Sequence, residues 1–117
     1  MGQSFGAPLH CCRAVVNRGE VWWVDDPELG RRPHLVLTRQ AAIPILEGYL
    51  AIPATRTIRG IRTEVALGRE DGMPERCVLT LDNMGVVYRE FFAERICALG
   101  PDRLAEVCRA LTVATGC

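Results

Sequence analysis

Hydrophobic and polar positions along this chain mostly follow the short period of strands. Glu20-Val21-Trp22-Trp23-Val24-Asp25 combines aromatic and β-branched residues and reads as a first strand, beginning just after Arg18-Gly19. Asp26 to Gly30 is rich in turn formers. A second strand runs from His34 to Thr38, with Pro33 at its first position, where a missing N–H does least harm. Pro44 rules out a long helix between Arg39 and Ile45, and Tyr49 to Thr55 reads as a third strand that meets Pro53 near its end. Ile61 to Leu67 alternates apolar with polar, the pattern of a half-buried strand, and Arg76 to Leu81 is a further strand ending at Asp82-Asn83. Between Val86 and Leu99 the pattern predicts a helical turn at Tyr88 to Phe91 and a last strand from Arg95 to Ala98.

Only the C-terminus has a helical period. Gly100 serves as cap, Pro101 takes the favoured first helical position, and Asp102 opposes the positive end of the helix dipole. Leu104, Val107, Cys108 and Leu111 form an apolar stripe, with Arg103, Glu106 and Arg109 on the other side. Five or six short strands and one terminal helix predict a mainly β domain: a small, strongly bent antiparallel sheet or barrel closed at one side by the helix. Residues 1–17 have no period and read as a loose N-terminal arm, so the expected domain spans 18–117.

The length of 117 residues fits one small domain with a real core. Fourteen basic and fourteen acidic side chains cancel, which argues against a broad polyanion coat but not against a local basic cleft. Every cation is an arginine. Of the six cysteines, Cys11 and Cys12 are adjacent and Cys77, Cys97, Cys108 and Cys117 stand singly, without a CxxC or a nearby histidine pair. They read as free thiols rather than a disulfide or zinc framework, and neither an export signal nor a membrane span is expected. A reducing cytoplasm fits this cysteine usage.

Most familiar chemistries lack their residues. There is no P-loop or dinucleotide fingerprint. With His10 and His34 as the two histidines, no His-rich metal site is expected, and Ser4 is the single serine available to a triad. A Cys77–His34 pair is weaker than simple packing of the cysteine. What remains is Gly30-Arg31-Arg32-Pro33: cations at the rim of a strand, whose donor forks fit phosphate oxygens. In an antiparallel meander, Arg32 at the start of one strand can meet Thr55 at the end of the next. Guanidinium and hydroxyl donors suit metal-free cleavage of RNA, in which the adjacent 2′-hydroxyl attacks a phosphate held in line. Taken from residue type alone, solvated side chains at strand ends remain the alternative.

Several stretches in order resemble the MazF/PemK toxins, the endoribonuclease halves of bacterial toxin–antitoxin pairs. They are Arg18 to Asp25, Arg32-Pro33-His34-Leu35-Val36-Leu37, Ala51-Ile52-Pro53-Ala54-Thr55, Thr63-Glu64-Val65, Cys77 to Asn83, and Leu99-Gly100-Pro101 with Leu104 to Leu111. The resemblance covers roughly residues 18–115. It implies an SH3-like antiparallel barrel with a C-terminal helix, usually a homodimer, that cuts single-stranded RNA at short sequences without metal or cofactor and leaves 2′,3′-cyclic phosphate and 5′-hydroxyl ends. The family's catalytic arginine and threonine map to Arg32 and Thr55. Its implied partner is a MazE-like antitoxin whose acidic, partly disordered segment competes with RNA. The loop from Asp25 to Arg32 is shorter than in common members, leaving a more open cleft. Asp82 and Asn83 stand at a base-reading position. His34 replaces a usual aliphatic residue and shares the parity of Arg32, so it faces the cleft or is a tolerated strand histidine. Arg31, Arg56, Arg59 and Arg62 line the RNA path or are solvated surface cations. Two other readings are a non-catalytic gyrase poison of the CcdB type on the same fold and an SH3-like interaction module.

Overall fold

A computed structural model describes residues 15–117. Cys11, Cys12, His10, Ser4 and most of the expected arm therefore lie outside the described residues. Seven strands follow in order: β1 (Glu20–Asp26), β2 (Gly30–Val36), β3 (Gly48–Thr55), β4 (Glu64–Leu67), β5 (Cys77–Thr80), β6 (Gly85–Tyr88) and β7 (Phe92–Ala98). The chain ends in helix α1 (Pro101–Thr115). Short 3₁₀ turns cover Gln40–Ala42, Arg69–Asp71, Leu81–Asn83 and Arg89–Phe91.

All described pairings are antiparallel, in the order β4-β5-β3-β2-β1-β7, with β6 also on β3. β5 and β6 lie end to end against one edge of β3. Ala54 and Thr55 pair with Leu79 and Val78, and Gly48 to Ala51 pair with Tyr88 back to Gly85. The 3₁₀ turn Leu81–Asn83 is the kink between them, so β3 belongs to both halves of a bent sheet. β6 is the strand that the sequence pattern missed: Gly85-Val86-Val87-Tyr88 is short and mostly exposed, so burial imposes no alternation on it. β2 begins four residues before the predicted strand, because its first half is exposed and its pairing to β1 extends to Asp26↔Gly30.

Burial on both faces of the sheet explains the apolar strand runs. Val21, Leu35, Ile52, Ala54, Val65, Leu67, Leu79 and Val107 fill one core cluster. Val16, Trp22, Val24, Val36, Tyr49, Ala51 and Phe92 fill the other. Val16, expected in the loose arm, is thus a core residue, and Asn17 is tied by its N–H to Glu20 Oε1 at 2.8 Å.

The expected bent antiparallel sheet closed at one side by the helix is what the structure shows, with the sheet itself open: the described ladder runs out at β4 on one side and β7 on the other. Side chains rather than hydrogen bonds bridge that gap. Val65 and Leu67 of β4, Cys97 of β7 and Leu99 just beyond it meet Val107 and Ala110 of α1 in the first cluster. The helix has Gly100 as cap, Pro101 in its first turn and Gly116 closing its end at φ 73°. Its buried stripe is Val107 and Ala110, flanked by Leu104, Leu111 and Ala114, while Cys108 is exposed. Arg103 ties the helix to the turn Arg69–Asp71 through Asp71 Oδ1 at 3.0 Å.

Candidate active site

The site exists because β2 and β3 part company. Their ladder pairs Val36↔Ala51, Leu35↔Ile52 and His34↔Pro53, and the N–H of Leu37 donates to Leu50 O at 2.8 Å. Backbone donors alternate sides along a strand, so the odd residues Leu37, Leu35 and then Pro33 face β3. Pro33 has no N–H to give. Beyond it, Ala54 and Thr55 turn to β5 instead. A cleft of about 430 Å³ opens between the separated ends, lined by Trp23, Arg31, Arg32, Pro33, Ala54, Thr55, Arg56, Thr57, Met73, Pro74, Glu75 and Cys77.

Arg32 and Thr55 thus share one cleft. Thr55 Oγ1 accepts the N–H of Thr57 at 3.2 Å, which leaves its own hydroxyl hydrogen available to a ligand. Arg32 is exposed, and among the described residues no carboxylate lies within ion-pair distance of its guanidinium. Arg31 is placed quite differently. Its Nη1 is 2.9 Å from Asp25 Oδ1, its Nη2 is 3.2 Å from Glu94 Oε1, and it lies 4.9 Å from the ring centroid of Trp23. Arg56 is exposed at the rim and 3.5 Å from Glu75 Oε1. Arg59 and Arg62 stand on the exposed β3–β4 loop, where Glu64 holds the backbone N–H groups of Arg59 and Gly60 at 3.0 and 2.9 Å.

His34, Asp82 and Asn83 are not in that cleft. His34 and Asn83 line a second one of about 310 Å³, which shares Arg32 as a wall. His34 is half-buried. Burial holds its proton affinity below the usual histidine value, assisted by the charge of Arg32 and opposed by its bond to the Arg32 carbonyl and by the charge of Asp26. Asp82 is turned aside, its Oδ2 accepting the Thr63 hydroxyl at 2.6 Å.

Trp23, Thr57, Met73, Pro74 and Glu75 are lining residues that sequence reasoning missed. Met73 to Glu75 come from the loop before β5, and nothing in sequence placed that loop beside β3. Cys77 is not paired with His34: the two line different clefts. Burial first, then Cys97, Glu75 and Asp71, push the Cys77 thiol up to about 11, so it is a packing thiol rather than a nucleophile. Cys77, Cys97, Cys108 and Cys117 are all free. No described helix is long and apolar enough to cross a membrane.

A guanidinium without an ion-pair partner beside a threonine hydroxyl, on a bent sheet backed by one terminal helix, is an arrangement suited to an anionic ligand. Comparison with known proteins narrows it. Residues 17–115 match the family of the PemK-like, MazF-like toxin of type II toxin–antitoxin systems, and the chain belongs to that family. It is 43% identical over 105 residues to the probable endoribonuclease MazF5 of Mycobacterium tuberculosis, covering 89% of this chain and 96% of the relative. It is 39% identical over 103 residues to the probable endoribonuclease MazF2 of the same organism, covering 87% of this chain and all of the relative. Among solved structures, MazF of Deinococcus radiodurans superposes with TM-score 0.75 at 28% identity, over 89% of this chain and 99% of that one. The same organism's MazE–MazF complex superposes with TM-score 0.73 at 28% identity, over 88% and 97%. This membership favours the toxin endoribonuclease over the gyrase-poison and interaction-module readings.

Proposed function

We propose that the chain is a toxin endoribonuclease whose Arg32–Thr55 cleft holds a phosphodiester of single-stranded RNA. The observation that carries this reading is the meeting of an arginine free of carboxylates with a threonine hydroxyl where β2 and β3 separate. The RNA's own 2′-hydroxyl attacks the adjacent phosphorus, the bond to the 5′-oxygen breaks, and the products are a 2′,3′-cyclic phosphate and a 5′-hydroxyl. Arg32 stabilises charge on the non-bridging oxygens, and the Thr55 hydroxyl donates to one of them. A guanidinium is too weak an acid to be a ready proton donor, so charge stabilisation is its role. Arg56 at the rim, with Arg59 and Arg62 beyond it, guides the strand; Arg31, already paired, positions Trp23 and the start of β2.

The protein works in the cytoplasm as a homodimer. Its partner is a cognate antitoxin of MazE type, whose acidic segment occupies the cleft in place of RNA, the two being alternative anions for the same cations.

The test is cleavage of single-stranded RNA by purified protein in EDTA. Wild type should cut, with 5′-hydroxyl ends. Arg32→Ala and Thr55→Ala should each lower the rate by about 10²-fold or more while circular dichroism stays unchanged. Intact RNA across varied substrates would sink the proposal.

A further inference from the structure

Arg32 is a wall common to two clefts, and the second has no part in the chemistry assigned to the first. It is lined by Asp26, Leu29, His34, Pro53, Asn83 and Val86 among others, and its volume of about 310 Å³ is at the small end for ligand sites. That space suits one planar ring system. Leu29, Pro53, Val86 and Val87 offer apolar surface to its faces, and the polar groups form an edge.

The edge has a defined sense. His34 Nδ1 lies 3.2 Å from the Arg32 carbonyl oxygen, and a carbonyl only accepts, so Nδ1 carries the hydrogen. In the neutral ring Nε2 is then an acceptor. The charged groups around His34 are Arg32 on its own strand and Asp26 on β1; Ala51 and Pro53 of β3 and Val86 and Val87 of β6 carry none. Asn83 Nδ2 donates to Thr80 Oγ1 at 3.5 Å, and the Thr80 hydroxyl donates to Pro53 O at 3.2 Å. That chain leaves Asn83 Oδ1 as the accepting end. Asp26 Oδ1 already accepts the N–H groups of Glu28 and Leu29 at 2.7 and 3.0 Å, and its second oxygen is a further acceptor.

We infer that this second cleft seats one nucleobase flanking the phosphate held by Arg32, and that His34 and Asn83 select guanine there. The inference rests on the RNA-cleaving reading of the Arg32–Thr55 cleft. Guanine presents two adjacent donors, N1–H and the N2 amino group, to a pair of acceptors. Adenine and cytosine place an acceptor beside their amino group, and uracil flanks its one N–H with two carbonyls. His34 is a specificity-determining residue in this arrangement, and Arg32 links the base seat to the scissile phosphate.

The experiment uses the full chain and an RNA pool randomised on both sides of the cut, with 5′-hydroxyl ends sequenced at pH 7.5. Wild type should favour guanine at one position flanking the cut. Inosine, which lacks the N2 amino group, should lower cleavage there about fivefold or more. His34→Leu and Asn83→Ala should each reduce the ratio of guanine to other bases at that position about fivefold or more, with ratios elsewhere unchanged. If His34→Leu does not fold by circular dichroism, Asn83→Ala on its exposed turn carries the test. RNA cut by wild type without that guanine preference, inosine accepted as well as guanine, or an unchanged ratio in a folded variant overturns the inference alone. Wild type that cuts no RNA overturns the reaction on which it rests.

Discussion

Arg31 and Arg32 are neighbours on β2 and both line the first cleft, yet they meet different partners. Arg31 meets Asp25, Glu94 and the face of Trp23, so its charge is largely answered within the domain. Arg32 lines both clefts, and among the described residues no carboxylate lies within ion-pair distance of its guanidinium. Arg32→Lys keeps the charge but loses the planar fork, and should lower RNA cleavage at least about tenfold with thermal stability unchanged. A rate equal to wild type would show that only charge matters there. Pro33 acts through what it lacks. Pro33→Val restores an N–H facing β3 and lets the ladder run on towards Ala54, which should narrow the cleft. Cleavage should fall while the melting temperature holds or rises; full activity would mean that the strands separate for another reason.

At the scale of elements, β1 is tied to β7 by one partly buried carboxylate. Burial disfavours the charge of Glu20, but Trp22 Nε1–H at 3.0 Å, the Asn17 N–H at 2.8 Å and Arg95 Nε at 2.9 Å outweigh it and hold the group below its usual range. The sign follows from that direction. The carboxylate's contribution to stability is complete above its unfolded value of about 4.5 and is lost as pH falls through the lower folded value. Urea unfolding of wild type should therefore weaken below about pH 4.5, and Glu20→Gln should be less stable at neutral pH with a smaller loss in that acid window. The helix is the other tie. Val107 is fully buried between the sheet and α1, so Val107→Ala should cost about 1–3 kcal/mol by denaturant unfolding.

Over the whole molecule, zero net charge coexists with Arg32 and Arg56 at one cleft and with Arg59 and Arg62 on the exposed loop that follows β3. At most four of these meet phosphates in the proposed path. A plot of log K for single-stranded RNA against log salt should then have a slope no steeper than about −3. A markedly steeper slope would point to a far larger electrostatic footprint. The open sheet has its own consequence: with β4 and β7 unpaired to each other, α1 and its buried stripe close the core. Deleting residues 101–117 should abolish folding rather than leave a stable barrel, as a loss of the cooperative thermal transition would show.

Apolar periodicity alone determined most of the architecture. Val21, Trp22, Val24, Leu35 to Leu37, Tyr49, Ala51 to Ala54, Val65 and Leu67 are buried in the structure, because burying a strand face demands such residues wherever the strand lies. The helix was legible for the same reason, with its stripe turned enough to leave Cys108 outside. Arg32 and Thr55 could be singled out as donors at strand ends, and the order of motifs named their family. Their meeting was a matter of tertiary structure: it depends on register, on a proline that cannot donate, and on β5 capturing the end of β3. The same holds for the capture of Arg31 by Glu94, sixty-three residues away, and for the separation of His34 and Asn83 into a second cleft. Burial leaves its mark on each residue's type. Contact between distant exposed polar groups leaves none, and there the fold alone decides.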